Sequence, residues 1–202
     1  MSLRLIAAAF ALALTVATLG AAGPASAGTP PAVTASDRVL GRADAPVTVI
    51  EYASFVCPHC ADWHNQVFPQ FKARFIDTGK VKLVFRNLPT APADEAFAAA
   101  AIGRCAAPER YFDVVHSLFS GQAGFYSGQA RKWFTDAVAV SGRTEAEIGA
   151  CFQRPETLAG LNADIAGASA AGADSTPSFF VNGRLVADHS LQALTAAIEA
   201  AQ

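Results

Sequence analysis

Apolar positions fall into two rhythms along this chain. Val47-Thr48-Val49-Ile50-Glu51-Tyr52 is apolar except at Thr48 and Glu51, the pattern of a central strand covered on both faces. Trp63, Val67, Phe71 and Phe75 then recur every four residues and mark the buried stripe of a helix over 58–77. Pro69 lies inside that helix and predicts a kink, because it removes one backbone hydrogen bond. Gly79 in Thr78-Gly79-Lys80 is a natural stop. Val81 to Arg86 reads as a second strand, so the three pieces form a βαβ unit. Before it, Arg38-Val39-Leu40 reads as a short edge strand, preceded by a mobile, extended lead-in over 28–36 containing Pro30 and Pro31.

From about residue 92 to 172 the period becomes helical. Ala93 to Ala106 reads as one helix. Tyr111, Val114, Val115, Leu118 and Phe119 fall at i, i+3, i+4, i+7 and i+8, an amphipathic stripe. Gly121 to Gly128 reads as a loop and Arg131 to Val140 as a helix. Thr144-Glu145-Ala146-Glu147 has the capping-box pattern and opens a helix reaching Cys151. Pro155 begins another, toward Ala171. Then Ser178 to Val181 and Arg184 to Val186 flank Asn182-Gly183, a strong hairpin signal. Ser190 caps a last helix with Leu191, Leu194 and Ile198 inward.

The start of the chain is patterned as an address. Met1-Ser2-Leu3-Arg4 is a short basic segment, Leu5 to Leu19 is apolar apart from two threonines, and Ala25-Ser26-Ala27 fits small-x-small cleavage. Cleavage is expected after Ala27, placing the protein in the periplasm or outside the cell. The apolar core of about 15 residues falls short of the ~20 needed to span a membrane. A length of 202 residues suggests one domain, or one with an insertion. The net charge of −2, with no long basic block, argues against nucleic acid as a partner.

The candidate chemistry lies where the first long strand meets the helix, in Ser54-Phe55-Val56-Cys57-Pro58-His59-Cys60. A Cys-x-x-Cys pair at such a junction of a βαβ unit is a redox motif. The helix N-terminus carries unpaired N–H groups and partial positive charge, which stabilises a thiolate on Cys57. Pro58 suits the first helical turn. His59 can place a second positive charge near Cys57. Cys60 lies one turn deeper, within reach of a disulfide. A stabilised thiolate makes that disulfide oxidising. The competing reading is half of a zinc site with His59 or His64. It is set aside because Cys105 and Cys151 are isolated rather than paired at ligand spacing, and His64 reads as a surface histidine. Glu51 is a carboxyl in a buried strand, which needs a partner or a function. Its alternatives are a proton-relay group and a solvated or salt-bridged edge residue. Cys105 and Cys151, in an exported helical segment, are expected to form a structural disulfide. The alternative is two buried free thiols.

Phe55-Val56-Cys57-Pro58-His59-Cys60, read with Thr176-Pro177-Ser178-Phe179-Phe180-Val181-Asn182-Gly183, resembles the DsbA-like thiol:disulfide oxidoreductase family over nearly all of the chain after the leader. The resemblance implies an α/β thioredoxin fold with an inserted all-helical subdomain. On that pattern residues 1–27 are a signal peptide, 28–45 an N-terminal extension, 46–90 with 173–202 the thioredoxin-fold domain, and 91–172 the insertion. It implies that Cys57 and Cys60, helped by Pro58 and His59, exchange disulfides, and that Glu51 takes the proton of Cys60. It implies a cis Thr176–Pro177 bond opposite the cysteines, offering the Thr176 main chain to an extended peptide, with Phe55 assigned to the same substrate-binding face. Reduced or unfolded exported proteins and a quinone-linked membrane reoxidising partner follow as partners. No metal or other cofactor is needed for this exchange, and a monomer is expected. The second cysteine pair departs from the simpler family pattern. The competing functions are a disulfide isomerase or reductase, and a non-enzymatic chaperone or metal-binding module.

Overall fold

The computed structural model describes residues 28–202, and the predicted leader lies outside the described residues. Strands β1 (Arg38–Leu40), β2 (Val47–Ala53), β3 (Val81–Asn87), β4 (Ser178–Val181) and β5 (Arg184–Val186) form one sheet in the order β1-β3-β2-β4-β5. β2 and β3 are parallel, from Val47 opposite Val81 to Ala53 opposite Asn87, and the other pairs are antiparallel. The helical run between β2 and β3 supplies the crossover that a parallel pair requires. This is a thioredoxin-like fold.

Strand alternation sorts the core. Val47, Val49, Phe179 and Val181 pack with Trp63, Phe71 and Phe75 of the crossover and with Leu194 and Ile198 of α8 (Leu191–Glu199). Ile50, Tyr52, Val84 and Phe180 pack with Ala168 and Ala171 of α7 (Pro155–Ala171). A third cluster joins the Cys57 loop to α3 (Ala93–Cys105), α4 (Tyr111–Tyr126), α5 (Ala130–Val140) and α6 (Glu145–Phe152). α6 opens with the Thr144–Glu147 capping box. A disulfide of 2.01 Å links Cys105 on α3 to Cys151 on α6. The β4–β5 hairpin turns through Asn182 (φ 45°) and Gly183 (φ 82°), the left-handed pair that a tight two-residue turn needs.

Three expectations need correction. The crossover is not one kinked α-helix. It runs as α1 (Pro58–Asp62), a π-helical segment (Trp63–Val67), α2 (Phe68–Phe71) and a second π-helical segment (Lys72–Ile76). The wider turn lets the Phe68 N–H reach back five residues to the Trp63 carbonyl, and Pro69 then falls in the first turn of α2, where its missing N–H costs little. The stretch 121–128 is not a loop, because α4 continues to Tyr126. Gly121 marks close packing: a Cβ there would stand 3.1 Å from the Trp133 ring on α5. The lead-in is docked rather than mobile. The buried Arg86 guanidinium donates to the Pro31 and Ala32 carbonyls at 3.0 and 3.2 Å and pairs with Asp37 at 2.8 Å. A buried cation needs acceptors, and the lead-in supplies them.

Candidate active site

β2 ends at Ala53, and Ser54, Phe55 and Val56 carry the chain to Cys57. Cys57 is extended (φ −82°, ψ 120°) and caps α1, with Pro58 in the first turn. Both thiols of the motif are unpaired in this structure. Cys57 is 8% exposed and Cys60 is fully buried, so Cys57 is the more accessible. The Thr176–Pro177 bond is cis, and Thr176 lies against Cys57, whose Sγ donates to the Thr176 carbonyl at 3.3 Å.

The two sulfurs are electrostatically unequal. The Cys57 thiol falls from 9.0 to about 5, chiefly through a hydrogen bond from the Cys60 thiol. Burial opposes the fall, while the Thr176 side chain and the main-chain N–H groups of Cys60 and His59 assist it. Cys60 is pushed strongly upward by burial first, then by its bond to Cys57, the Cys57 charge and the charge of Glu51. The pair is thus one ready thiolate and one protonated thiol. His59 acts through its backbone N–H, and its imidazole is exposed in a separate cleft with Asp62, Asp188 and His189.

The helical block grips the motif from behind. Gln122 of α4 donates through both amide hydrogens, to the Phe55 carbonyl at 2.7 Å and to the Cys57 carbonyl at 3.0 Å. The Tyr126 hydroxyl donates to the Val56 carbonyl. Three successive carbonyls of the loop are therefore fixed by one helix. The sequence reading missed both residues. Gln122 carried a signal, since it continues the apolar stripe three residues after Phe119. Tyr126 was hidden by the loop assignment.

A thioredoxin family model matches residues 34–200. The chain belongs to the thioredoxin family. The helical insertion and the Cys57-Pro58-His59-Cys60 motif make it a DsbA-like member. Curated relatives named as protein-disulfide oxidoreductases include one from Rickettsia conorii, 33% identical over 82% of this chain and 60% of its own length. Another, from Rickettsia prowazekii, is 33% identical over 82% of this chain and 61% of its own length. The chain thus spans about three fifths of these relatives. Among solved structures, Wolbachia pipientis alpha-DsbA1 superposes with a TM-score of 0.73 at 26% identity, covering 83% of this chain and 92% of that one. Oxidised BdbD from Bacillus subtilis gives 0.74 at 22% identity, covering 89% and 98%, a likeness of fold.

In this thioredoxin-family frame Cys57, Cys60, Pro58, Thr176 and Pro177 come together at one end of the sheet. Two other assignments change. Phe55 is 1% exposed and stacks between Phe85 and Phe119, at 5.4 and 5.0 Å, so it is a core residue that cannot meet a substrate. His64 is a buried partner of Glu51 rather than a surface residue: its Nε2 stands 2.9 and 3.1 Å from the two carboxylate oxygens. The inward turn follows from its place in the first π-helical segment, beside Trp63 and stacked on Phe119 at 4.1 Å. Glu51 is fully buried on β2. Among the described residues no group of three or more His, Cys, Asp or Glu is spaced to hold a metal ion.

Proposed function

We propose that the protein is an exported thiol:disulfide oxidoreductase that donates its Cys57–Cys60 disulfide to reduced, unfolded proteins. The observation that carries this is the unequal pair: a Cys57 sulfur that ionises near pH 5, held beside the Thr176 main chain. A substrate thiolate attacks Cys57 Sγ, the Cys57–Cys60 bond breaks, and its electron pair leaves on Cys60, which takes a proton. Burial of Cys60 favours the neutral thiol and so draws the reaction forward. A second substrate thiolate attacks the substrate sulfur of the mixed disulfide and expels Cys57 as a stable thiolate, a good leaving group. The Thr176 carbonyl and N–H offer an extended peptide main-chain contacts beside the sulfur, which confers little sequence preference. Glu51, buried and adjacent in charge to Cys60, is the group that supplies the proton. The leader pattern over 1–27 supports export, where such a disulfide persists. A membrane partner then reoxidises the dithiol.

The test is oxidative refolding of a reduced, disulfide-requiring protein with stoichiometric oxidised enzyme. Wild type accelerates recovery, and Cys57→Ser abolishes the acceleration. Help that survives Cys57→Ser would assign the protein to the chaperone class instead.

A further inference from the structure

Glu51 has a second neighbour that the disulfide chemistry leaves unexplained. The Glu51 carboxyl group is fully buried, so it does not meet bulk solvent directly. Every turnover in the donating direction takes one proton from it, and every reoxidation returns one. His64 is bonded to it through Nε2 and is itself only 5% exposed at the side chain. That small exposure opens into a cleft of about 320 Å³ between the crossover, β1 and α4. His64 is at its buried end, Phe68 and Phe112 wall it, and Lys72, Asp113 and His116 line it toward solvent. Neither Cys57, Thr176 nor Pro177 lines this cleft.

We infer that His64 is the proton exit of the site, a positioning and relay residue that connects Glu51 to bulk water through this cleft. The inference rests on the reading of Glu51 as proton partner of Cys60. When Cys60 leaves as a thiolate it takes a proton from the Glu51 carboxyl. The imidazole returns one to Glu51 through Nε2 and recovers it from water in the cleft. Reoxidation runs the same transfers backward, so protons balance and no electrons pass through His64. The route avoids the face where a substrate peptide covers Cys57, so a bound substrate does not block proton exchange. The charged and titratable groups around His64 are Glu51 from β2, Lys72 from its own helical run, and Asp113 and His116 from α4. β1 and β3 present Leu40 and Phe85. Lys72 is held by Asp77 at 2.6 Å and Asp113 by Arg110 at 2.8 Å, and the side chain hydrogen-bonded to Glu51 is the His64 imidazole.

The experiment measures the rate at which dithiothreitol reduces the Cys57–Cys60 disulfide between pH 5 and 9, for wild type and His64→Gln, with and without added imidazole. The ratio of variant to wild type at each pH cancels the ionisation of dithiothreitol. Gln keeps a donor toward Glu51 but cannot titrate. Should Gln not pack, His64→Phe keeps the ring stack on Phe119 and serves the same test. The expected result is a loss of about tenfold or more near neutral pH, restored by imidazole small enough to enter the cleft, with Cys57 ionisation unchanged. A variant profile that superposes on wild type overturns the proposal, as does a slow variant that imidazole leaves slow. A wild-type disulfide inert to dithiothreitol would instead sink the functional reading on which the proposal stands.

Discussion

Replacing Gln122 by Met tests whether the helical block shapes the active-site loop. Met fills a similar volume in the same buried slot but donates no hydrogen bonds. Gln122 is 5% exposed, and the carbonyls it serves belong to Phe55 and Cys57, at 1% and 8%. The two losses differ. The Cys57 carbonyl keeps the Ala61 N–H at 3.2 Å, so its loss is that of one hydrogen bond, about 1 kcal/mol. The Phe55 carbonyl has no such second partner in the loop, and stranding a buried acceptor costs about 1–3 kcal/mol. The sum is about 3 kcal/mol, or a fall in Tm of about 6–12 °C for a domain of this size. Tyr126→Phe is the internal comparison. Tyr126 is 54% exposed, so water can replace its bond to Val56, and the loss is expected to stay below about 1 kcal/mol. Urea unfolding of both variants, reduced and oxidised, provides the numbers. Gln122→Met within about 0.5 kcal/mol of wild type would refute the clamp.

Alkylation of the reduced protein by iodoacetamide should follow a single ionisation with a midpoint near pH 5, all of it at Cys57, with Cys60 unlabelled; a midpoint above 8 would contradict the asymmetry. The sign of the linked stability follows from a folded-state value lowered from 9.0 to about 5: the contribution is complete above pH 9, shrinks as pH falls and is gone below 5. Raising the pH from 5 to 9 is therefore expected to stabilise the reduced form relative to the oxidised one, as differential scanning calorimetry would record. Cys105→Ala with Cys151→Ala opens a loop spanning 46 residues and should cost about 4 kcal/mol by chain entropy. It should leave the Cys57 midpoint in place, because the groups that bond to Cys57 belong to Cys60, Thr176 and His59.

What could be read without coordinates was what is written locally. The Cys-x-x-Cys spacing, the Asn182-Gly183 turn, the Thr144 capping box and the four-residue rhythm of Trp63, Phe71 and Phe75 each depend on neighbours within one turn. The readings that changed depend on what stands opposite. His64 looks like any helical histidine until the π-helical turn rotates it onto Glu51, thirteen residues back along the chain. Gly121 reads as a loop because a glycine lowers helix propensity by about 1 kcal/mol; its place in the helix is explained by the Trp133 ring, which would crowd a Cβ at 3.1 Å. Phe55 borders the motif in sequence, yet its ring turns inward onto Phe85 and Phe119. The lead-in carries two prolines and no periodicity, and its place is set by Arg86, some 50 residues away on β3.

The Cys57–Cys60 pair can in principle pass electrons in either direction, and its reduction potential decides which. The most direct measurement equilibrates the purified protein with glutathione buffers and follows that pair by mass, with Cys105 and Cys151 followed separately. A stabilised Cys57 thiolate favours the dithiol, so the account predicts a reduction potential near the oxidising end of the known range, about −120 mV. A value near about −270 mV would mean that the pair prefers to be oxidised, and would make the protein a reductant.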